Sequence, residues 1–228
     1  MSKIIITQSN YIPWKGFFNA MHQVDKIVLY DDMQFTKRDW RNRNLIKTPN
    51  GLKWLTIPVE VKGKFHQKIN ETIISDKDWN RNHLNLLKEN YKKADSYKEV
   101  IDWVEVLYEN CQFELLSEVN EYFIKNINIY LGINTEILRS ESFSLKEGKT
   151  ERLIGICKDL NAKEYYSGPA AQNYMEEELF EKASIKLNYF DYSDYKEYPQ
   201  LHGDFVHGVS ILDLIFNLGE KSIEFYAK

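Results

Sequence analysis

The chain has 228 residues, 43% of them hydrophobic and 14% aromatic, so it can bury a full core in one large domain without disulfide bonds, for which its two cysteines are too few. A formal net charge of −4 argues against a general nucleic-acid binder, and no apolar run approaches the ~20 residues that a membrane-spanning helix needs. The sequence passes directly from Ser2 and Lys3 into an apolar segment with no signal peptide, so we expect a cytoplasmic location.

Alternating strand and helix patterns open the chain and predict a parallel sheet. The first unit comprises a buried strand over 4–7, a helix over 14–23 and a second buried strand over 25–30. A turn signal, Pro49-Asn50-Gly51, precedes two further predicted strands, which cover residues 53–61 and 65–74.

The middle of the chain is helical by periodicity, because apolar residues recur at three- and four-residue steps. The predicted helices cover residues 76–94, 97–107 and 115–131. We predict that this region forms a helical insertion, 76–131, within a single α/β domain that spans residues 1–228. Afterwards the alternation resumes, with strands over 135–139, 164–167 and 185–189 and helices over 149–160, 170–174, 176–182 and 211–218. The predicted fold is a mostly parallel Rossmann-like sheet flanked by helices.

The most polar stretch of the chain directly follows the second predicted strand. That strand ends at Asp31 and Asp32, and Gln34 comes next but one. Basic and amide side chains crowd the residues beyond; they are Lys37, Arg38, Arg41, Asn42, Arg43 and Asn44. Because ligands of α/β proteins bind outside the carboxyl ends of the strands, this stretch predicts a site for a small anionic or polyhydroxylated ligand.

The charged residues of this stretch allow more than one interpretation. Guanidinium groups bind carboxylate and phosphate in bidentate fashion, and on a helix Lys37 and Arg41 would share one face. A solvated charged face is the alternative, although Trp40 is unusual in one. Adjacent strand residues point to opposite faces, so only one of Asp31 and Asp32 needs to face a ligand. Such a carboxylate could accept from a sugar hydroxyl, bind a metal or pair with a nearby arginine.

The loop after the first predicted strand is a second candidate binding segment, since it opens a helix whose N-terminus would lie beside a ligand. Its candidate contact residues are Gln8, Asn10, Tyr11 and Trp14. Gly16 would allow a close approach to the helix. The loop lacks the three glycines of a dinucleotide fingerprint, so we expect no nicotinamide cofactor. The alternative is structural, with Trp14 and Phe17 anchoring the core.

Few residues of the chain suit proton transfer or nucleophilic attack. His83 lies one turn after Trp79 on the inner face of a predicted helix and is our candidate general base, because imidazole titrates near neutral pH. A packed core histidine is the alternative, and His202 and His207 are the other candidates. Ser167 follows a strand but lacks a nucleophile elbow, so we expect a turn residue or a substrate-binding hydroxyl.

The motifs of the chain resemble those of the WbqC-like protein family almost from end to end. The resemblance rests on Gln8-x-Asn10-Tyr11-x-Pro13-Trp14-x-Gly16-Phe17-Phe18, Asp31-Asp32-x-Gln34, Lys37-Arg38-Asp39-Trp40-Arg41-Asn42-Arg43-Asn44, Thr48-Pro49-Asn50-Gly51, Tyr166-Ser167-Gly168 and Ser210-Ile211-Leu212-Asp213-Leu214. One departure is Thr7-Gln8-Ser9, where the family commonly has His-Gln-Pro. If that histidine is catalytic in relatives, its role falls here to His83; otherwise it is structural.

The resemblance implies an enzyme of bacterial surface-polysaccharide biosynthesis that transfers an acyl or aminoacyl group to the amine of a nucleotide-linked sugar. An acyl thioester donor is expected, on a carrier protein or coenzyme A, with an adenylate as the alternative. His83 and Asp32 are the expected catalytic residues, and Asp32 with Gln34 would also hold sugar hydroxyls. The diphosphate would lie at Lys37, Arg38 and Arg41, with Asn10 or Asn44 at the oxyanion.

Two other function classes remain open at this stage. A nucleotidylyl transferase or ATP-dependent ligase would need Mg²⁺ at Asp31 or Asp32, with phosphate contacts in the 8–16 loop. A non-catalytic protein would bind a sugar or carrier and present it to a partner. No other metal site is predicted.

Overall fold

The computed structural model describes residues 2–227. The strands are β1 (Ser2–Thr7), β2 (Lys26–Leu29), β3 (Arg43–Thr48), β4 (Gly51–Thr56), β5 (Glu136–Arg139), β6 (Ala162–Ser167) and β7 (Lys186–Tyr189). The α-helices are α1 (Lys15–His22), α2 (Trp79–Tyr91), α3 (Tyr97–Glu109), α4 (Leu116–Leu131), α5 (Lys149–Asp159), α6 (Glu177–Lys182), α7 (Ile211–Leu218) and α8 (Ile223–Tyr226). The α/β class is therefore confirmed.

Five strands form one parallel sheet in the order β5-β2-β1-β6-β7. The chain first builds outward from β1 through β2 to β5, and then returns to the other side of β1 with β6 and β7. The strand order thus reverses between β1 and β6, which makes that gap the topological switch point of the sheet. In open α/β sheets ligands bind at such a point, outside the carboxyl ends of the strands.

The parallel sheet is covered on both faces, as the continuous apolar runs of its strands predict. Ile5 and Ile27 pack into the larger core with residues of α1, α2, α3, α4 and α7. Ile4, Ile6 and Val28 point the other way, into a second core with residues of α5 and α6. The helices over 79–131 share the larger core with the sheet, and their description as an insertion stays a prediction.

The polar stretch after β2 differs from the sequence prediction. Residues 37–42 form turns rather than a helix, and Arg38 has a φ of 62°. The segment then enters β3, which pairs antiparallel with β4 through the turn at Pro49 and Asn50. Thr48 pairs with Gly51, whose φ of 98° suits glycine in so tight a connection. The predicted strand over 53–61 therefore begins and ends earlier, at Gly51–Thr56.

The predicted strand over 65–74 is not formed. A 3₁₀ turn, Ile69–Glu71, interrupts it, and only isolated bridges remain on either side. Ile69 and Thr72 are buried while Phe65 and Ile73 are exposed, so the β-favouring residues here anchor an irregular segment to the core. Elsewhere the helix and strand ends lie within a few residues of their predicted positions, and Gly132 ends α4 in the left-handed conformation, with a φ of 68°.

Candidate functional site

A cavity of about 490 Å³ lies at the switch point, and we call it the switch-point cavity. Gln8, which follows β1, and Ser167, the last residue of β6, place it at the carboxyl ends of these two strands. The other lining residues are Ile5, Ile6, Thr7, Phe17, Ala20, Tyr30, Met33, Arg41, Lys149, Arg152, Leu153, Tyr165, Gly168, Ala170, Ala171, Tyr174, Met175 and Tyr192. The position is the one that the fold predicts for a ligand.

The switch-point cavity is cationic and aromatic. Arg41, Lys149 and Arg152 line it, and no carboxylate occurs among its described lining residues. Lys149 and Arg152 belong to the first turn of α5, so the positive helix end adds to their field. Four tyrosines complete the wall; they are Tyr30, Tyr165, Tyr174 and Tyr192. Such a lining suits an anionic ligand that also has a flat ring, because cations bind phosphate and phenol rings stack.

Arg41 is fixed in the wall of this cavity by the loop after β1. Its Nη1 donates to the Asn10 side-chain oxygen and lies 3.3 Å from the Ser9 carbonyl and 3.4 Å from the Gln8 carbonyl. Burial lowers the pKa of Arg41, whereas Asp39 and Asp31 raise it. A guanidinium group keeps its charge in proteins, so the cavity has a permanent cation here.

Asp31 lies behind this arginine and is almost fully buried. Its Oδ1 accepts a hydrogen bond of 2.8 Å from the backbone N–H of Ser9. Burial raises the pKa of the Asp31 carboxyl to about 6, against the Ser9 hydrogen bond and the Arg41 charge. The Ser9 hydroxyl in turn accepts from Nδ2 of Asn120 on α4, which also donates to the backbone oxygen of Arg41. Asn120 therefore ties α4 both to the loop after β1, at Ser9, and to the backbone of Arg41.

A second cavity of about 410 Å³ lies on the other side of the same loop, and we call it the indole cavity. Its lining residues are Asn10, Pro13, Trp14, Trp40, Asn44, His207 and Gly208. The Trp14 ring lies over Gly16, where a Cβ atom would be 2.2 Å from the ring. The glycine that we expected to allow a close approach therefore makes room for the neighbouring indole.

The two cavities share a wall. Gln8 lines the switch-point cavity and Asn10 the indole cavity, and Arg41 contacts both residues. The rings of Trp14 and Tyr192, one from each cavity, also meet edge to face with centroids 5.3 Å apart. Two ligands bound side by side would thus be separated by one loop and one guanidinium group.

Six of the predicted site residues line one of the two cavities, and they are Gln8, Arg41 and Ser167 in the first and Asn10, Trp14 and Asn44 in the second. Others have protein partners elsewhere. Asp32 accepts from the Ser140 hydroxyl, and Gln34 donates to the Phe65 carbonyl at 2.7 Å. Lys37, Arg38 and Asn42 line a separate shallow cleft of about 220 Å³. These residues do not converge with Arg41 as the sequence suggested.

Tyr11 and His83 are core residues rather than cavity residues. The carbonyl oxygen of Thr56 lies 3.2 Å from Nε2 of His83, so Nε2 carries the proton and donates. Nδ1 then accepts from the Tyr11 hydroxyl at 2.9 Å, and Tyr11 accepts from Tyr108 at 2.7 Å. Burial lowers the pKa of His83 to about 4, so the ring is neutral. With both ring nitrogens engaged inside the core, the geometry argues against a general base here.

Ser210 caps α7, but it forms no capping box with Asp213, because the Ser210 N–H donates to the Leu45 carbonyl. The Ser210 hydroxyl accepts from the Leu212 N–H at 3.2 Å. Asp213 instead accepts hydrogen bonds from the hydroxyls of Tyr91 and Tyr198 and from the Gln200 amide. It fastens the segment before α7 to α2. His202 donates to the Asn90 carbonyl at 2.8 Å, whereas His207 lines the indole cavity.

The charged residues and tyrosines of this cavity that were not among the predicted site residues are Lys149, Arg152, Tyr30, Tyr165, Tyr174 and Tyr192. Lys149 and Arg152 follow Gly148 at the start of an amphipathic helix, and that pattern was the available signal. Within residues 2–227, no group of three or more His, Cys, Asp or Glu side chains is arranged to hold a metal ion. No helix in the same range is both long and apolar enough to cross a membrane.

Residues 8–225 match the model of the WbqC-like protein family. Over 225 residues the chain is 48% identical to a Mycobacterium tuberculosis (strain ATCC 25618 / H37Rv) protein described as "Uncharacterized protein Rv1507c", and the match covers 99% of this chain and 97% of that protein. No solved structure matches the chain significantly. Because the family match extends over nearly the whole sequence, the chain belongs to the WbqC-like protein family.

Proposed function

We propose that this protein binds a nucleotide-linked amino sugar in the switch-point cavity and transfers an acyl or aminoacyl group to the sugar amine. The observation that carries the proposal is the set of three cations and four tyrosines at the switch point of the sheet. The diphosphate would lie between Arg41, Lys149 and Arg152, and the base would stack on a tyrosine. Tyr174, with 65% of its surface exposed, offers such a ring at the mouth.

The transfer itself needs few groups from the protein. The amine nitrogen forms a bond to the carbonyl carbon of a thioester, the C–S bond breaks, and the amine proton leaves with the thiol. Charge develops on the carbonyl oxygen, and preorganised donors near that oxygen lower the barrier. Arg41 suits this role because it lines the switch-point cavity and the Asn10 side chain holds its guanidinium group in place. Ser167 would contact the sugar, in keeping with a binding rather than a nucleophilic role.

Binding measurements separate this proposal from its alternatives. We would titrate UDP, GDP and ADP into the protein by calorimetry in the presence of EDTA. Arg152→Gln and Lys149→Gln are expected to weaken nucleotide binding by about ten- to a hundredfold, since a charged hydrogen bond contributes roughly 1.5–3 kcal/mol. Lys158→Gln is the matched control, because it removes the same charge from the exposed C-terminal end of α5. Equal affinities for all variants would contradict the proposed phosphate site.

A transfer assay tests the chemistry. Nucleotide-linked amino sugar and acyl-coenzyme A are mixed with the protein, and free thiol is measured. Arg41→Lys keeps the charge but loses the planar group of donors, so it is expected to lower the transfer rate more than the nucleotide affinity. Turnover that is abolished by EDTA would support a Mg²⁺-dependent nucleotidylyl transferase or ligase instead. Tight nucleotide binding with no transfer from any donor would support a non-catalytic binding protein.

A further inference from the structure

The indole cavity has largely apolar walls and few polar groups that a ligand can use. Trp14, Trp40 and Pro13 supply its apolar surface. The Asn44 amide is already engaged, since Nδ2 donates to the Tyr11 and Ile12 carbonyls and Oδ1 accepts from the Leu45 N–H. Asn10 and His207 provide the other polar side chains of the described lining.

The largely apolar lining of the indole cavity fits one of the two substrates of a transfer reaction, the acyl donor, better than it fits the sugar acceptor. A sugar needs a hydrogen bond for nearly every hydroxyl, and each buried group left unpaired costs about 1–3 kcal/mol. A slender chain with widely spaced amides fits the lining better, because its methylene and methyl groups pack on the indoles and only its amides need partners. The pantetheine arm of an acyl thioester has this composition.

Cations continue from the mouth of the indole cavity along the surface. The Trp40 ring meets Trp54 with centroids 5.2 Å apart, and the Arg43 guanidinium lies 3.9 Å from the Trp54 ring centroid. Arg43 also donates to the backbone carbonyl of Arg38, which fixes the Arg43 guanidinium group against the preceding turn. The phosphate that joins a pantetheine arm to coenzyme A or to a carrier protein would meet Arg43.

The inner end of the indole cavity lies beside the switch-point cavity. Gln8 and Asn10, one from each lining, are two residues apart, and two residues of chain span at most about 7 Å. Arg41 reaches across this distance to both residues. A thioester carbonyl at the inner end would therefore lie next to an amine held in the switch-point cavity.

We infer that the indole cavity binds the pantetheine arm of the acyl donor, with its thioester toward Arg41 and its phosphate toward Arg43. This inference rests on the proposed function, since it names the second substrate of the same transfer. It assigns different residues to the two ligands, so each assignment is testable without the other.

The test is calorimetric titration of the whole protein with coenzyme A, pantetheine and UDP. Trp40→Ala is expected to weaken coenzyme A and pantetheine at least tenfold and to leave UDP binding unchanged. Arg43→Gln is expected to weaken coenzyme A alone, because pantetheine lacks the phosphates. Phe113→Ala is the matched control, since Phe113 is 39% exposed and Trp40 41% exposed.

The outcomes separate the inference from the proposed function. The inference would be overturned if neither coenzyme A nor pantetheine binds at millimolar concentration. It would also be overturned if both bind and Trp40→Ala leaves their affinities unchanged. Displacement of coenzyme A by UDP would overturn it as well, because the two would then share a cavity. Conversely, Arg152→Gln could leave UDP affinity unchanged while Trp40→Ala weakens coenzyme A binding. That pair of results would refute the proposed nucleotide site and would still support the indole-cavity assignment.

Discussion

Replacement of Asp31 by asparagine is expected to stabilise the protein above pH 6. Burial raises the pKa of this carboxyl from its ordinary 3.8 to about 6. At about 1.36 kcal/mol for each pH unit, keeping the carboxylate ionised in the native state costs about 3 kcal/mol of unfolding free energy. The native state binds more protons than the unfolded state between these two pKa values, so wild-type stability falls as pH rises through that interval. Asparagine keeps an oxygen for the Ser9 N–H and carries no charge.

Urea unfolding at about pH 4.5 and about pH 8 measures the effect. We expect Asp31→Asn to gain roughly 2–3 kcal/mol over the wild type at the higher pH and much less at the lower one. Asp102→Asn, at an exposed position on α3, controls for the loss of a negative charge. The reasoning fails if Asp31→Asn unfolds more easily at pH 8 or keeps the wild-type pH dependence. The variant should also bind UDP at least as tightly as the wild type, because removal of a negative charge beside Arg41 makes the switch-point cavity more positive.

Three further substitutions test how the cavity walls are held. Gly16→Ala would place a Cβ atom 2.2 Å from the Trp14 ring, so it should destabilise the protein and weaken coenzyme A binding, although alanine for glycine in a helix usually gains about 1 kcal/mol. His83→Ala should lower the free energy of unfolding, measured in urea, by about 1–3 kcal/mol and leave UDP affinity unchanged. A large loss of UDP affinity would instead indicate that His83 acts at the binding site. Lys15→Met removes an ammonium group that donates to the Lys196 carbonyl at 2.8 Å among three aromatic rings, so limited proteolysis after Lys196 should become faster.

Hydrophobic periodicity was sufficient to predict most of the fold. The strands of the parallel sheet are apolar runs because both faces are buried, and α2, α3 and α4 keep apolar residues at helical spacing. The hairpin was missed because β3 contains Asn44 and Lys47, which are buried but polar. Asn44 is satisfied by backbone carbonyls of the first loop, and Lys47 by those of Gly203 and Asp204. Such tertiary partners cannot be read from local pattern.

The candidate site was predictable only in part for a related reason. The rule that ligands bind at the ends of strands selected Gln8 and Ser167, and both residues line the switch-point cavity. It does not say which strands are neighbours, and Lys149 and Arg152 reach the cavity only because β6 pairs with β1. The charged run at 37–42 appeared to be the centre of the site in sequence. In three dimensions Arg41 faces the cavity, while Lys37 and Arg38 lie on the surface.

The hydrogen bond from the Ser9 amide to Asp31 requires a residue with a backbone N–H at position 9. Proline, which the expected His-Gln-Pro motif would place there, has no N–H, so it cannot donate to the carboxylate. The same aspartate in a proline-containing relative would be harder to ionise and would titrate at higher pH. Ser9→Pro would convert the present protein to that state, and a carbon-13 NMR titration of the Asp31 carboxyl carbon would record the difference directly.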